Sequence, residues 1–164
     1  MLRRIVLGIV VCLVLCGAGL WAVKRYADRH YYDGYEPNLP LNAVVSDFTI
    51  VDGTVEAFGQ RLPAHYRKQR VEIEARPGER VPALLTLPME AKDPVPVVVL
   101  LHGSDQKKEF VEEICTPFNE AGFAMVCFDQ YMRGERKVKG NFLKTSIAYR
   151  ARCWKTVHEA RRLI

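Results

Sequence analysis

VPVVVLLHGS, residues 95–104, is the stretch that decides the fold. Residues 95–101 are nearly all apolar and mostly β-branched. A run without polar alternation predicts a strand that is buried on both faces, as in a parallel sheet covered by helices. It stops at His102-Gly103-Ser104, where Gly103 allows a sharp turn without a Cβ clash. Because ligands bind beyond the carboxyl ends of strands in open α/β sheets, we expect this loop to border a binding crevice.

The residues before this strand predict an antiparallel hairpin. Residues 71–75 and 81–87 each alternate apolar and polar side chains, which is the period of a half-buried strand. The turn Arg76-Pro77-Gly78-Glu79 joins them. Further upstream, residues 43–58 are ambiguous and predict either an accessory strand or a segment packed under the domain.

The residues after the strand predict a helix, a second strand and a last helix. Apolar residues at helical spacing over 108–121 predict a helix that Gly122 ends and that Pro117 kinks or splits. Residues 123–128 predict another buried strand. Thr145 or Ser146 is the expected cap of the last helix. On that helix a shared apolar face is expected, opposite most of the basic residues, from Ile147, Ala151, Trp154, Val157 and Ile164.

The order of these elements is typical of an α/β domain with a largely parallel sheet. We expect residues 1–25 to be a membrane anchor or signal sequence and residues 26–66 to be a membrane-proximal linker or accessory segment. Residues 67–164 then form the α/β domain.

The N-terminus predicts one transmembrane helix. Residues 5–23 carry no charge and lie between Arg4 and Lys24. Their length is close to the roughly 20 residues that cross a bilayer and exceeds the usual signal-peptide core of about 7–15. We therefore favour a single-pass signal anchor with the globular part outside the cytoplasm. The alternative is a signal cleaved near Ala18, which would make the protein secreted.

The formal net charge is +5, and basic residues are concentrated after Asp129, where only Glu135 and Glu159 oppose them. This pattern is typical either of a surface for nucleic acid or anionic lipid, or of a solvated helix face and loop. We favour the solvated face and expect no nucleic-acid partner, because no groove-reading motif accompanies the charge.

The sequence also argues against metals and cofactors. Cys115, Cys127 and Cys153 have no close ligand spacing, and Cys127 is expected to be a small buried hydrophobe. No His, Asp and Glu cluster and no Gly-rich phosphate loop occur in the sequence, so we expect no metal and no cofactor.

Taken in order, these motifs resemble the α/β-hydrolase superfamily, specifically its dienelactone-hydrolase-like and acetyl-xylan-esterase-like members. The resemblance covers residues 67–164. It rests on the hairpin ending VPALLTLP, the strand VVVLL with His102-Gly103, the strand ending Phe128-Asp129 before YMRG, and the helix ending EARRLI. It implies the N-terminal part of an α/β-hydrolase sheet and a serine-type hydrolase of carboxylic esters or related acyl bonds, with a small-molecule ester substrate.

The resemblance assigns one catalytic role to a residue of this chain. The backbone N–H of Ser104 would supply half of the oxyanion hole, and the residue after the nucleophile would supply the other half. That nucleophile belongs in a Gly-x-Ser-x-Gly elbow, which the sequence lacks, and the acid and histidine of the triad follow it in family order. We therefore expect the chain to stop before its nucleophile and to be inactive alone.

The remaining residues of the loop have weaker claims to a role. Gly103 and Asp105 are candidate substrate contacts. His102, Ser104 and Asp105 lie too close together on one loop to converge as a triad. His102 is expected to be structural, and Asp129 is expected to cap the turn that follows it.

A second hypothesis belongs to another class of protein. The chain could be a non-catalytic, membrane-anchored interaction module with half of an α/β-hydrolase fold. Such a half sheet has an unpaired strand edge that a partner must cover.

Overall fold

A computed structural model describes residues 2–32, 36–91 and 94–164. The chain divides into two units, Met1–Tyr35 and Glu36–Ile164. The first unit contains one helix, α1 (Leu2–Tyr32). Within it, Arg3–Tyr26 is long and apolar enough to cross a membrane, and a signal sequence near the N-terminus would meet the same criteria. Residues 33–35 of the predicted linker lie outside the described residues.

The second unit is a mixed sheet of six strands flanked by helices. The strands are β1 (Val44–Val45), β2 (Thr49–Ala57), β3 (Gln60–Arg76), β4 (Glu79–Leu87), β5 (Val97–Leu100) and β6 (Ala124–Phe128). The helices are α2 (Phe110–Glu120) and α3 (Phe142–Leu163), and a 3-10 turn spans Gly134–Arg136. The strand order is β1-β3-β4-β6-β5, and β2 also pairs with β3.

The antiparallel hairpin predicted from the sequence is confirmed. Strands β3 and β4 pair antiparallel through the turn at Pro77-Gly78, with Val71 opposite Ala83. The ambiguous residues 43–58 form accessory strands, since β1 and β2 both pair antiparallel with β3. The sheet therefore reaches further toward the N-terminus than residue 67, because the first half of β3 is held by β2.

Strands β5 and β6 form the parallel pair that the sequence predicts, with Leu100 opposite Cys127 and α2 as the crossover. Alternate residues face the two sides of the sheet. Met125 and Cys127 pack with Val111 and Cys115 of α2. On the other face, Val126 and Phe128 pack in the cluster that Ala160 and Leu163 of α3 join. All of β6 is buried because strands lie on both sides of it and helices on both faces.

The prediction that the first strand is buried on both faces is wrong. In β5, Val98, Val99 and Leu100 are only half-buried, and Val97 is 53% exposed. The physical reason is the position of β5 at the end of the sheet, where no strand among the described residues pairs with its outer side.

Helix α2 ends as predicted but is not split. It continues through Pro117, and Gly122 follows it with φ +87°, the left-handed conformation that glycine adopts without strain.

Helix α3 departs from the prediction in its cap and in its buried face. The cap is Asn141, whose side chain accepts the Lys144 N–H at 3.1 Å, so Thr145 and Ser146 lie inside the helix. Val157 and Ile164 of the predicted apolar face are exposed. The side chain of Ile147 lies outside what the structure describes. The buried residues of the helix are Ala148, Arg152, Thr156, His158, Glu159 and Arg162.

Candidate functional site

The carboxyl ends of β5 and β6 meet at one edge of the sheet, because the two strands are parallel. The loop after β5 begins at Leu101 and carries His102, Gly103 and Ser104. The loop after β6 begins with Asp129 and Gln130. This is the edge at which α/β sheets bind ligands.

His102 ties the two loops together and is structural, as predicted. It is buried, its Nδ1 lies 2.8 Å from the Gly103 carbonyl oxygen, and its Nε2 lies 3.4 Å from the Gln130 backbone nitrogen. The tautomer with hydrogen on Nδ1 satisfies both contacts, because Nε2 then accepts the Gln130 N–H. With both ring nitrogens engaged, His102 orients the loop and does not present a free base.

Gln130 extends the connection to α3. Its side-chain amide donates to the His102 carbonyl oxygen at 2.7 Å. Its Oε1 accepts from Arg152 twice, from Nε at 3.2 Å and from Nη2 at 2.6 Å. The chain His102–Gln130–Arg152 therefore fixes the loop after β5 against the last helix. We call these three residues the loop clamp.

The structure places the three candidate site residues predicted from the sequence in two different clefts. Gly103 and Ser104 line a cleft of about 360 Å³ together with residues of α3. The Gly103 N–H is engaged, since it donates to Gln106 Oε1 at 2.8 Å, whereas the exposed Ser104 N–H makes no hydrogen bond to any described residue. Asp105 lines a different cleft, of about 650 Å³, between the loop after β5 and the turn that begins at Gly134.

Asp129 caps the turn that follows it, as predicted, and also holds the start of α2. Its carboxylate is fully buried. Oδ2 accepts the Glu135 N–H at 3.0 Å, and Oδ1 accepts the Lys108 N–H at 2.9 Å. The Lys108 ammonium lies 3.1 Å from Oδ2 and 2.6 Å from Glu135 Oε1. We call Asp129, Lys108 and Glu135 the carboxylate hub.

Electrostatic interactions in the hub favour the charged forms of Lys108 and Glu135. Burial by itself lowers the pKa of Lys108, but hydrogen bonds to three carboxylates outweigh burial and raise it. Hydrogen bonds from Arg70 and then from Lys108 lower the pKa of Glu135 to about 2. Since Arg70 belongs to β3, the hub links the hairpin to both loops at the carboxyl edge.

The expectation that the late basic residues form a solvated face is wrong for three of them. Arg136, Arg152 and Arg162 are each 8% exposed or less by side chain or residue. Arg136 pairs with both oxygens of the buried Glu159, at 2.8 and 2.9 Å. Arg162 donates to the backbone carbonyls of Pro37 and Leu39. These guanidinium groups are buried because the fold supplies acceptors for them.

Cys127 is buried as predicted, and burial raises its pKa to about 12. Among the described residues, no group of three His, Cys, Asp or Glu could hold a metal ion.

Two residues of the loop clamp, Gln130 and Arg152, were not predicted from the sequence. Gln130 directly follows Asp129, which marks the end of the predicted strand, so the sequence pattern was sufficient to place Gln130 at the carboxyl edge of the sheet. Arg152 had no comparable signal, because burial of an arginine depends on an acceptor 22 residues away in sequence.

Comparison with known proteins gives a likeness to solved structures and none to families or curated proteins. No family model matches the chain, and no curated protein matches it. The crystal structure of a putative acetyl xylan esterase from Bacteroides fragilis is similar to this chain, with 16% sequence identity and a TM-score of 0.49. The likeness covers 76% of this chain and 32% of the other, so this chain spans about a third of that protein's length.

Proposed function

We propose that this chain contributes the oxyanion-binding half of a serine-type hydrolase that cleaves carboxylic esters or related acyl bonds. The observation that carries the proposal is the Ser104 N–H, which lies beyond the carboxyl end of a parallel strand, beside a cleft, without an acceptor among the described residues. A backbone donor held in this way stabilises the negative charge of a tetrahedral intermediate. The sequence motifs that resemble the α/β-hydrolases support the same role.

This sequence contains no Gly-x-Ser-x-Gly elbow for the attacking serine, and we propose that none of its residues takes the place of that serine, of the base or of the triad acid. We propose that Gly103 permits the turn that aims the Ser104 N–H, and that Asp105 contacts substrate from the neighbouring cleft. The 164-residue chain alone is then expected to show no turnover of p-nitrophenyl acetate. Turnover that Ser104→Ala abolishes would contradict this proposal.

Binding of an oxyanion mimic gives a direct test, because it needs no nucleophile. The chain in detergent micelles is titrated with a methylphosphonate monoester while the Ser104 amide resonance is followed by NMR. Ser104→Ala keeps the N–H and is expected to bind like the unmodified chain. Ser104→Pro lacks the N–H and is expected to lose binding. If Ser104→Ala loses binding as completely as Ser104→Pro, the hydroxyl is required and not the N–H alone, and if Ser104→Pro retains binding, the N–H is not the ligand; either result contradicts the proposal.

We propose that residues 1–25 anchor the protein in a membrane as a single-pass signal anchor, with residues 26–66 as the accessory segment and 67–164 as the rest of the globular part. The globular part then lies outside the cytoplasm. A cleaved signal is the alternative, and N-terminal sequencing of the membrane-extracted protein distinguishes the two. A mature N-terminus near Ala18 would show that the signal is cleaved and the protein secreted, and it would contradict the membrane anchor.

A second candidate function has its own observation in favour of it. The outer edge of β5 is uncharged and is not paired by any strand that the structure describes. A sheet edge of this kind accepts an added strand. The alternative proposal is a non-catalytic, membrane-anchored interaction module.

A further inference from the structure

A cleft of about 260 Å³ lies between helix α2 and the ribbon that β2 forms with the first half of β3. The ribbon is at the end of the sheet opposite β5. The residues that line the cleft from the two sides include Val55, Leu62 and Pro63 of the ribbon and Glu113, Thr116 and Glu120 of α2. The clefts at Ser104 and Asp105 are lined by other residues, so neither proposed function uses this one.

The ribbon side of the cleft is apolar. Val55 and Leu62 are directly opposite each other in the register of β2 and β3, and Pro63 is the next residue of β3. None of these three side chains can donate or accept a hydrogen bond. A ligand in the cleft is therefore expected to place hydrocarbon against this wall.

The α2 side of the cleft carries three hydrogen-bond acceptors in a row. Glu113, Thr116 and Glu120 are spaced three and four residues apart, so they share one helix face with neighbouring Cβ atoms about 5–6 Å apart. In the part of the chain that the structure describes, neither of these two carboxylates has a cationic partner. Glu112 differs from them, since it pairs with Lys68 at 2.7 Å. Two negative charges on this wall are thus available to a ligand.

Thr116 is an independent observation that points to a ligand. It lies inside α2, lines the cleft and is only 8% exposed. A threonine inside a helix can donate to the carbonyl four residues earlier, but the Thr116 hydroxyl makes no hydrogen bond to any described residue. Buried hydroxyls are normally bonded. An unbonded acceptor between two carboxylates is complemented by a cation that has several N–H donors.

We infer that this cleft binds the side chain of a lysine that a partner polypeptide presents. An ammonium group has three N–H donors, which match the Thr116 hydroxyl and the carboxylates of Glu113 and Glu120 on either side of it. The methylene stem of the lysine lies against the apolar wall. The size of the cleft favours one side chain, because sites for drug-sized ligands have volumes of roughly 300–1,000 Å³.

The test compares two peptides on the isotope-labelled full chain in detergent micelles, with the Thr116 amide resonance followed by NMR. The peptides are acetyl-Gly-Ala-Lys-Ala-Gly-amide and the same sequence with norleucine, which keeps the hydrocarbon stem and lacks the ammonium group. The lysine peptide is expected to bind at least about tenfold more tightly, because it alone forms charge-assisted hydrogen bonds. Equal affinity of the two peptides overturns the inference, and this comparison needs no protein variant.

Two variants of Thr116 test the hydroxyl. Thr116→Val keeps the shape and removes the hydroxyl, and it is expected to bind the lysine peptide about fivefold more weakly, whereas Thr116→Ser keeps the hydroxyl and the affinity. Because the hydroxyl has no partner in the free protein, Thr116→Val is expected to unfold at the same or a higher urea concentration than the unmodified chain. Unchanged affinity in Thr116→Val overturns the assignment of this residue.

Charge variants test the two carboxylates. Glu113→Gln and Glu120→Gln together are expected to remove most of the advantage of the lysine peptide over the norleucine peptide. The control is Glu90→Gln, because Glu90 is exposed and lies outside the lining of the cleft, and it is expected to keep that advantage. A full advantage in the double variant, or a loss of the same size in Glu90→Gln, overturns the binding of the ammonium group at these carboxylates.

A free amine separates the two sources of an ammonium group. The probe is n-butylamine, which is the lysine side chain without its backbone, and the lysine peptide is expected to bind at least as tightly as this amine. Binding of n-butylamine without binding of the lysine peptide overturns the polypeptide partner and leaves a site for small amines. None of these outcomes depends on phosphonate binding at the Ser104 N–H, so the hydrolase proposal is tested separately.

Discussion

Replacing Asp129 with Asn is expected to lower the free energy of unfolding by about 2–4 kcal/mol. The side chain is fully buried and accepts two backbone N–H groups and the Lys108 ammonium. Asn keeps the shape but has one acceptor oxygen, so its NH2 group meets at least one donor. A buried donor left unsatisfied costs about 1–3 kcal/mol. The loss of charge beside buried Lys108 adds to that cost.

The size of the effect can be checked by urea unfolding of the full chain in detergent micelles, followed by near-UV circular dichroism. Asp129→Ala is expected to cost more, about 3–5 kcal/mol, since it removes every acceptor of the buried pair. Glu109→Gln is the matched control, because Glu109 also pairs with Lys108, at 3.0 Å, but is 38% exposed. Its expected cost is under about 1 kcal/mol. The reasoning is refuted if Asp129→Asn costs no more than Glu109→Gln.

Three other perturbations have defined outcomes. Gly134→Ala, at a φ of +51°, introduces a Cβ that overlaps the buried Asp129 carboxylate. Gly78→Ala also lies at a positive φ, +74°, but its Cβ meets open space, so Gly134→Ala should cost at least about 1 kcal/mol more in urea unfolding. Equal costs would contradict the overlap. Because the pKa of Glu135 is about 2 in the folded protein against an ordinary 4.5, its stabilisation is present above pH 4.5 and is lost as pH falls toward 2. In Glu135→Gln, the free energy of unfolding should fall less steeply than in the unmodified chain as the pH decreases over that range. Equal slopes would show that the ion pairs of Glu135 with Arg70 and Lys108 do not stabilise the protein in solution. Burial raises the pKa of Cys127 to about 12, so mass spectrometry after iodoacetamide treatment at pH 8 should find the exposed Cys153 alkylated before Cys127, and comparable rates for the two would show that β6 opens readily.

The strands were predictable where their pattern depends on local sequence. The alternation of apolar and polar residues in β3 and β4 predicted the hairpin, and the continuous apolar run in β6 predicted the central strand. Both patterns are local, because the period of the side chains is set by the strand itself. The burial of β5 was not predictable in the same way. Its sequence resembles that of β6, but its burial depends on a neighbour beyond the sheet edge, which a local pattern does not contain.

The last helix was placed correctly and oriented incorrectly. An apolar pattern assigns arginine to the outside, yet Arg152 and Arg162 are buried because Gln130 and backbone carbonyls accept their hydrogen bonds. The cap was misassigned for a related reason. The Thr145 hydroxyl donates to the Asn141 carbonyl at 3.0 Å, so it bonds back along the first turn and does not cap it.

The loop clamp connects the cleft beside α3 to the loop that carries Ser104. Arg152 donates to Gln130 Oε1, the Gln130 amide donates to the His102 carbonyl, and the next residues after His102 are Gly103 and Ser104. A carboxylate that binds Arg152 competes with Gln130 for the same guanidinium. Binding in the cleft therefore changes the support of the loop that carries the Ser104 N–H. The occupancy of the cleft at Arg152 and the position of the Ser104 N–H are linked in this way through two hydrogen bonds.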